Sequence, residues 1–248
     1  RVSVYGQTGP YRDRPGLDRN GIAMGGLLYL TGYPDRPPVR PGLIVSDYLT
    51  GVFNAFAILA AVYERDTKAR ASGAPPRGQW VDLSLYESIL RIMEHTLASY
   101  DRLGQVRERE GNRLKTSAPL DNWKTSDGKY VSIIAAGDGL FPRLCRAMGR
   151  VDLLAEPRFT TMALRAEHGE EINQIVADWV AGQTSAEVQA VLERHEVPFG
   201  VAYSVADIFA DPHIASRASI ARVDDPTIGP IQMQGVYPRF SRTPGAVE

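Results

Sequence analysis

This 248-residue chain is bounded first by what it lacks. It has one cysteine, Cys145, which excludes an intrachain disulfide framework and points to a reducing, cytoplasmic compartment. It lacks an excess of either charge, with 28 Lys and Arg against 29 Asp and Glu, so no electrostatic footprint for nucleic acid or an anionic membrane is present. No uninterrupted apolar run reaches the roughly 18 residues of a membrane span, and no signal peptide is visible. There is no P-loop, GxGxxG fingerprint, CxxC pair or HExxH motif. His95, His168, His195 and His213 are scattered, with no second ligand at metal spacing, so no metal is expected. No internal repeat occurs.

What is present supports a real core, with 44% hydrophobic residues in one large domain or two small ones. The central stretch is residues 42–65. Leu43, Ile44 and Val45 form a short apolar run that breaks at Ser46-Asp47, and residues 52, 53, 56, 59, 60 and 63 then repeat at helical spacing. The expected reading is a buried extended segment, a turn, and a helix from Val52 to about Asp66. Asp47 lies at the junction, where helix N–H groups are unpaired and the local dipole is positive. Two roles are open to it: an N-cap, or a carboxylate nucleophile kept ionised by those N–H groups. Spacing does not choose between them.

Around this stretch, residues 2–5 alternate like a strand. Residues 6–41 form a glycine- and proline-rich loop, with a short helix expected within 22–30. Residues 68–78 read as a charged connection and residues 79–83 as a strand. Ser84 with Glu87 makes a capping box that opens a helix to about Leu103, on which His95 is an ordinary helix residue. Charges of both signs over residues 101–115 read as a linker. Further on come an Asp127-Gly128 turn before a strand at 130–136, a helix at 141–148 carrying Cys145 as a small core residue, and an amphipathic segment at 172–180. Thr184 and Glu187 form a second capping box. Val197–Val201 leads outward, a short helix at 206–210 ends at Asp211-Pro212-His213, and residues 231–236 read as a strand.

Several pieces, in order, carry a family resemblance. They are Gly6-Gln7-Thr8-Gly9-Pro10-Tyr11, Arg14-Pro15-Gly16-Leu17-Asp18, Thr31-Gly32-Tyr33-Pro34-Asp35-Arg36-Pro37-Pro38, Asp47 with Gly51, Gly78 through Ser88, Thr125 through Val131, and Phe240-Ser241-Arg242-Thr243-Pro244. Together they resemble the family III CoA-transferases, the CaiB/BaiF group, from Val2 to Pro244. The resemblance implies an α/β fold: part of a Rossmann-like large domain plus a small α+β domain, in an interlocked homodimer. It implies a large-domain portion at 1–84, a helical linker at 85–111, the small domain at 112–203, and a return linker with a C-terminal large-domain segment at 204–248. Family members carry roughly a hundred further residues upstream, so the resemblance also implies that this chain lacks them.

For chemistry, the resemblance implies transfer of coenzyme A from an acyl-CoA to a free carboxylic acid. Asp47 would carry the acyl group as a mixed anhydride and then hold CoA as a thioester, with acyl-CoA as substrate and no permanently bound cofactor. Gln7, Gly9 and Asp18 would line the CoA and acyl end. Gly111, Asn112 and Arg113 fall where formyl-CoA transferases carry a run of glycines that closes over the site. That run is absent here, a departure that weighs against glycine gating and against oxalate or formate as substrates. Racemases of 2-methylacyl-CoA esters carry a histidine where this chain has Leu17, and leucine moves no proton. A racemase-like isomerase, a CoA lyase-like or hydrolase activity, and a non-catalytic acyl-CoA-binding subunit are the alternatives.

Overall fold

In the computed structural model, which describes residues 1–247, the longest element is a 28-residue helix, Val45–Ser72, in the first of two units, residues 1–116. The chain enters this unit through β1 (Val2–Ser3), then forms α1 (Asp18–Met24) and α2 (Leu27–Leu30). The single helix expected at 22–30 is therefore two, broken at Gly25-Gly26. The long helix, α3, starts at Val45 and ends against Gly73. The start expected at Val52 is corrected to Val45, and of the expected buried extended segment Leu43 and Ile44 stay outside the helix but are exposed, not buried. Ser46 and Asp47 occupy the first helical turn, where Ser and Asp are at home. The C-terminal end is corrected as well: Lys68 through Ser72 continue the helix, and Lys68 pairs with Glu64 one turn back.

β2 (Leu83–Ser84) pairs with β1 in parallel, Val2 opposite Leu83 and Ser3 opposite Ser84. Ser84 caps α4 (Leu85–Arg91) through the expected box: its hydroxyl accepts from the Glu87 N–H, and the Glu87 carboxylate accepts the Ser84 N–H at 2.9 Å. The expected helix to Leu103 breaks after Arg91 and resumes as α5 (Thr96–Leu103), because Glu94 takes a left-handed backbone, φ 50°. His95 is the residue preceding α5, not a mid-helix position.

Helices α1, α3 and α4 meet on a seam of small residues. A Cβ on Gly21 would lie 2.8 Å from both Leu85 Cβ and Ser46 Oγ, so only glycine allows this approach. Ile22, Ile89, Ser46, Thr50, Ser84 and Ser88 are buried in the seam. The opposite face of α3 is different: Tyr48, Val52, Phe56, Leu59 and Tyr63 are exposed. By length and composition, α3 is the one helix among the described residues that is long and apolar enough to cross a membrane. It reaches that length without an uninterrupted apolar run, so the lack of such a run in the sequence does not exclude a span.

The second unit, from Ser117 onward, holds a three-stranded antiparallel sheet. β3 (Leu120–Lys124) pairs with β4 (Tyr130–Ile134) across the expected Asp127-Gly128 turn. Helices α6 (Phe141–Ala147), α7 (Met162–Glu167), α8 (Gly169–Ala181) and α9 (Ser185–Arg194) follow, and β5 (Phe199–Val201) joins the free edge of β4. Val131 and Ile133 alternate inward from β4 onto Ile172, Val176 and Val180, one face of α8, with Leu144, Cys145, Val188 and Leu192 completing the core. Arg165 is also buried there. Its guanidinium donates to the carbonyls of Ala118, Phe159 and Ala136 and to Asp138, and it stacks 4.4 Å from the Phe141 ring centroid. Every hydrogen bond of that kind offsets desolvation of a charge.

Beyond the sheet lie α10 (Val205–Ala210) and α11 (Pro212–Ser216). The first of these ends before Asp211 as expected, and Asp211 then caps the second, which was not expected, by accepting the Ile214 N–H. β6 (Ile220–Asp225) and β7 (Gly229–Gln234) form a hairpin of which only the second strand was expected. The expected segment 204–248 extends one residue past those described. The whole is the mixed α/β architecture expected, with its parallel strand pairing in the first unit and an α+β arrangement in the second.

Candidate active site

Asp47 is exposed on the first turn of α3 and is not the N-cap, a position held by Ile44. The capping role weighed for it is therefore not the one it plays. The helix start instead receives an acceptor from elsewhere: Asp18 Oδ1 accepts the Ser46 N–H and the Ser46 hydroxyl, both at 2.8 Å. Asp18 thus lies beside the residue that precedes Asp47. Leu17, next to it, is exposed and accepts no proton; its own N–H donates to Asn20 Oδ1 at 2.9 Å.

Gln7 and Gly9 sit in the loop after β1. The Gln7 N–H donates to Asp82 Oδ2 at 3.1 Å, and Gly9 adopts φ +82°. Asp82, quoted only within the Gly78–Ser88 motif, was not expected at the site; like its neighbours Val81 and Leu83 it is half-buried. Its other oxygen, Oδ1, is buried without a partner among the described residues.

Gly111, Asn112 and Arg113 form a turn pinned to the segment after α2. The Gly111 N–H donates to Gly32 O at 2.9 Å, and Asn112 Nδ2 to the Tyr33 hydroxyl at 3.1 Å. Arg109 donates to Tyr29 O at 2.7 Å and lies 5.3 Å from the Tyr29 ring centroid, while the Tyr29 hydroxyl donates to Glu108. That hydrogen bond, reinforced by burial and the carboxylate's charge, raises the Tyr29 pKa above its ordinary value. Tyr29 and Arg109 were not singled out from sequence, and Tyr33 appeared there only within the Thr31–Pro38 motif. Aromatic and basic residues dispersed 80 positions apart carry no local signal. Beside this loop, a concavity of about 530 Å³ is lined by Glu94, His95, Arg107, Glu110, Leu114 and Lys115 among others. Hydrogen bonds thus gather the expected residues in three places: Asp18 with the Asp47 turn, Gln7 with Asp82, and Gly111–Asn112 with Gly32–Tyr33.

Comparison with known proteins adds to this geometry. The family model of CoA-transferase family III matches residues 1–248. The succinyl-CoA–D-citramalate CoA-transferase of Chloroflexus aurantiacus is 41% identical over 248 residues, covering all of this chain and 60% of that protein. The succinyl-CoA–L-malate CoA-transferase beta subunit of the same organism is 38% identical over 250 residues, again covering 60% of its length. Among solved structures, a CAIB/BAIF family protein from Brucella suis aligns with a TM-score of 0.80 and 28% identity, over 98% of this chain and 61% of that one. Rv3272 from M. tuberculosis aligns at a TM-score of 0.81 and 22% identity, over all of this chain and 64% of that one, a likeness of fold. The chain spans about 60% of the length of the curated relatives named here.

Proposed function

This chain belongs to CoA-transferase family III, and from that premise we propose that it carries the acyl-transfer centre of an enzyme moving coenzyme A from an acyl-CoA to a free carboxylic acid, with Asp47 as nucleophile. The observation that carries this reading is the placement of Asp47: exposed on the first turn of a long helix, next to an anchored residue. A buried capping aspartate would have favoured a non-catalytic binding subunit. Exposed Leu17 beside Asp18 gives a racemase no proton carrier.

In the proposed sequence, a carboxylate oxygen of Asp47 attacks the donor thioester carbonyl, and the C–S bond breaks to release CoA thiolate and leave a mixed anhydride. The thiolate attacks the Asp47 side-chain carbonyl, expels the donor carboxylate, and leaves Asp47 as a CoA thioester. The acceptor carboxylate attacks that thioester and displaces the thiolate, which then takes the acceptor acyl group and frees Asp47. Each step exchanges one activated acyl for another, so no net energy input is required. Unpaired N–H groups at the start of α3 supply donors to the oxyanions.

Gln7, Gly9 and Asp18 line the CoA end in this reading, and Gly111, Asn112 and Arg113 close its acyl side. The relatives' names supply the substrate class: succinyl-CoA as donor and a small dicarboxylic acid, hydroxylated or not, as acceptor. We place the enzyme in the cytoplasm as an interlocked homodimer, with residues 1–84 and 204–248 in the large domain, 85–111 linking, and 112–203 forming the small domain. The test is intact mass after incubation of the full-length protein with succinyl-CoA. A hydroxylamine-sensitive CoA adduct mapping to Asp47 and absent in Asp47→Ala is expected. CoA binding without an adduct from any short acyl-CoA sinks the covalent mechanism.

A further inference from the structure

α3 begins without a cap of its own. Ile44 in the N-cap position offers no side-chain acceptor, yet the first N–H groups of any helix lack intrahelical partners. The structure fills the gap from 28 residues upstream. Asp18 Oδ1 receives the Ser46 N–H and the Ser46 hydroxyl, each at 2.8 Å, and the same hydroxyl lies 3.1 Å from Asp18 O. Ser46 is 0% exposed, and its Oγ occupies space that Gly21 on α1 leaves open, since a Cβ there would stand 2.8 Å from it. Asp18 is itself in the first turn of α1, so one carboxylate faces the positive ends of two helices at once.

We propose that Asp18 and Ser46 form a positioning pair for Asp47: the Asp18 carboxylate is the N-cap that α3 lacks, and through buried Ser46 it holds the turn carrying the nucleophile against α1. This rests on the reading of Asp47 given above. Asp47 follows Ser46 directly, so its backbone moves only if both bonds to Asp18 break. The pair also divides the donors at the helix start. The Ser46 N–H is committed to Asp18, which leaves the N–H groups of Val45 and Asp47 to face a developing oxyanion. Asp18 acts through Ser46 in this arrangement, as a positioning residue, even where its outer surface lines the CoA end.

The test compares Asp18→Ala, Asp18→Asn and Ser46→Ala in the full-length protein by two measurements. The first is single-turnover formation of the Asp47 adduct from saturating succinyl-CoA, with CoA affinity measured separately. The second is amide hydrogen exchange of the peptide covering residues 44–50. Asp18→Ala and Ser46→Ala are expected to slow adduct formation by about tenfold to a hundredfold, the scale of a nucleophile displaced by an ångström, while in Ser46→Ala, whose side chain is buried behind Asp18, CoA affinity stays unchanged. Exchange in 44–50 speeds up in both. Asp18→Asn, whose amide oxygen still accepts from Ser46, recovers most of the rate and the protection. An unchanged saturated rate in both Asp18→Ala and Ser46→Ala overturns the proposal and leaves Asp18 as a ligand contact alone. Unchanged exchange in 44–50 overturns it whatever the chemistry. If wild type forms no adduct, the covalent reading fails, and hydrogen exchange alone still decides the positioning pair.

Discussion

The Thr50 hydroxyl donates to Ser88 Oγ at 2.8 Å, and both residues are 1% exposed. Ser88 passes the chain on to Ser84 O at 3.3 Å, and Ser84 caps α4. Thr50 lies one turn after Ser46, so α3 is held on one face by Asp18 at its start and by α4 one turn later. Ser88→Ala leaves the Thr50 hydroxyl a buried donor without its acceptor, at a cost of about 1–3 kcal/mol. Thr50→Val removes the donor and costs less. The double variant is expected to lose less than the sum of the two singles, and denaturant unfolding of the four proteins measures that coupling.

Gly111 has φ +67°, and a Cβ there would stand 2.6 Å from the Tyr33 ring. Gly111→Ala combines a left-handed alanine, about 1–2 kcal/mol, with a clash that pushes Tyr33 off the loop. Limited proteolysis within 107–113 is expected to accelerate, and acyl transfer to fall. Replacing Tyr33 by leucine in the same chain relieves the clash but not the backbone, so recovery is partial. Full recovery means the ring alone sets the loop.

Asp127 accepts hydrogen bonds from the Thr125 and Ser185 hydroxyls and from the Ser185 N–H. These hold its carboxyl down to about 2, against 3.8 ordinarily. Between those values the unfolded chain binds a proton that the folded chain does not. The stabilisation is present above about pH 4 and is lost as pH falls toward 2. Thermal unfolding from pH 5 downward is expected to show a shallower decline for Asp127→Asn than for wild type, with a lower starting stability. Parallel declines contradict the assignment.

Cys145 is buried on α6 in the core of the second unit, where desolvation raises its thiol pKa to about 11. A thiol held neutral is a poor nucleophile. Labelling by a disulfide reagent at about pH 8 is expected to proceed no faster than unfolding and to become immediate in denaturant. Rapid labelling of the native protein contradicts this burial.

Much of this chain is legible wherever the deciding interaction spans three or four residues. The capping boxes at Ser84–Glu87 and Thr184–Glu187, the Asp127-Gly128 turn and the apolar face of α8 all appear as read. The ordered motifs from Gly6 to Pro244 likewise carried the family, which the match over residues 1–248 shows. Boundaries failed where the local signal was ambiguous. Ser46-Asp47 reads as a break after an apolar run, yet the same residue types suit the first turn of a helix. Gly25-Gly26 and the left-handed Glu94 split helices that periodicity alone would continue.

What the sequence by itself determined, then, was the capping boxes, the hairpin turn, several of the helices and the family. Only the tertiary structure decided how the turn carrying Asp47 is held. The acceptor that caps α3 is on α1, the hydroxyl that pins it one turn later is on α4, and the acceptors that satisfy buried Arg165 come from three separate segments. Backbone donors and buried charges must find partners once water is excluded. When the neighbouring residues offer none, as Ile44 does at the start of α3, the partner comes from across the fold, at a separation that no sequence period encodes.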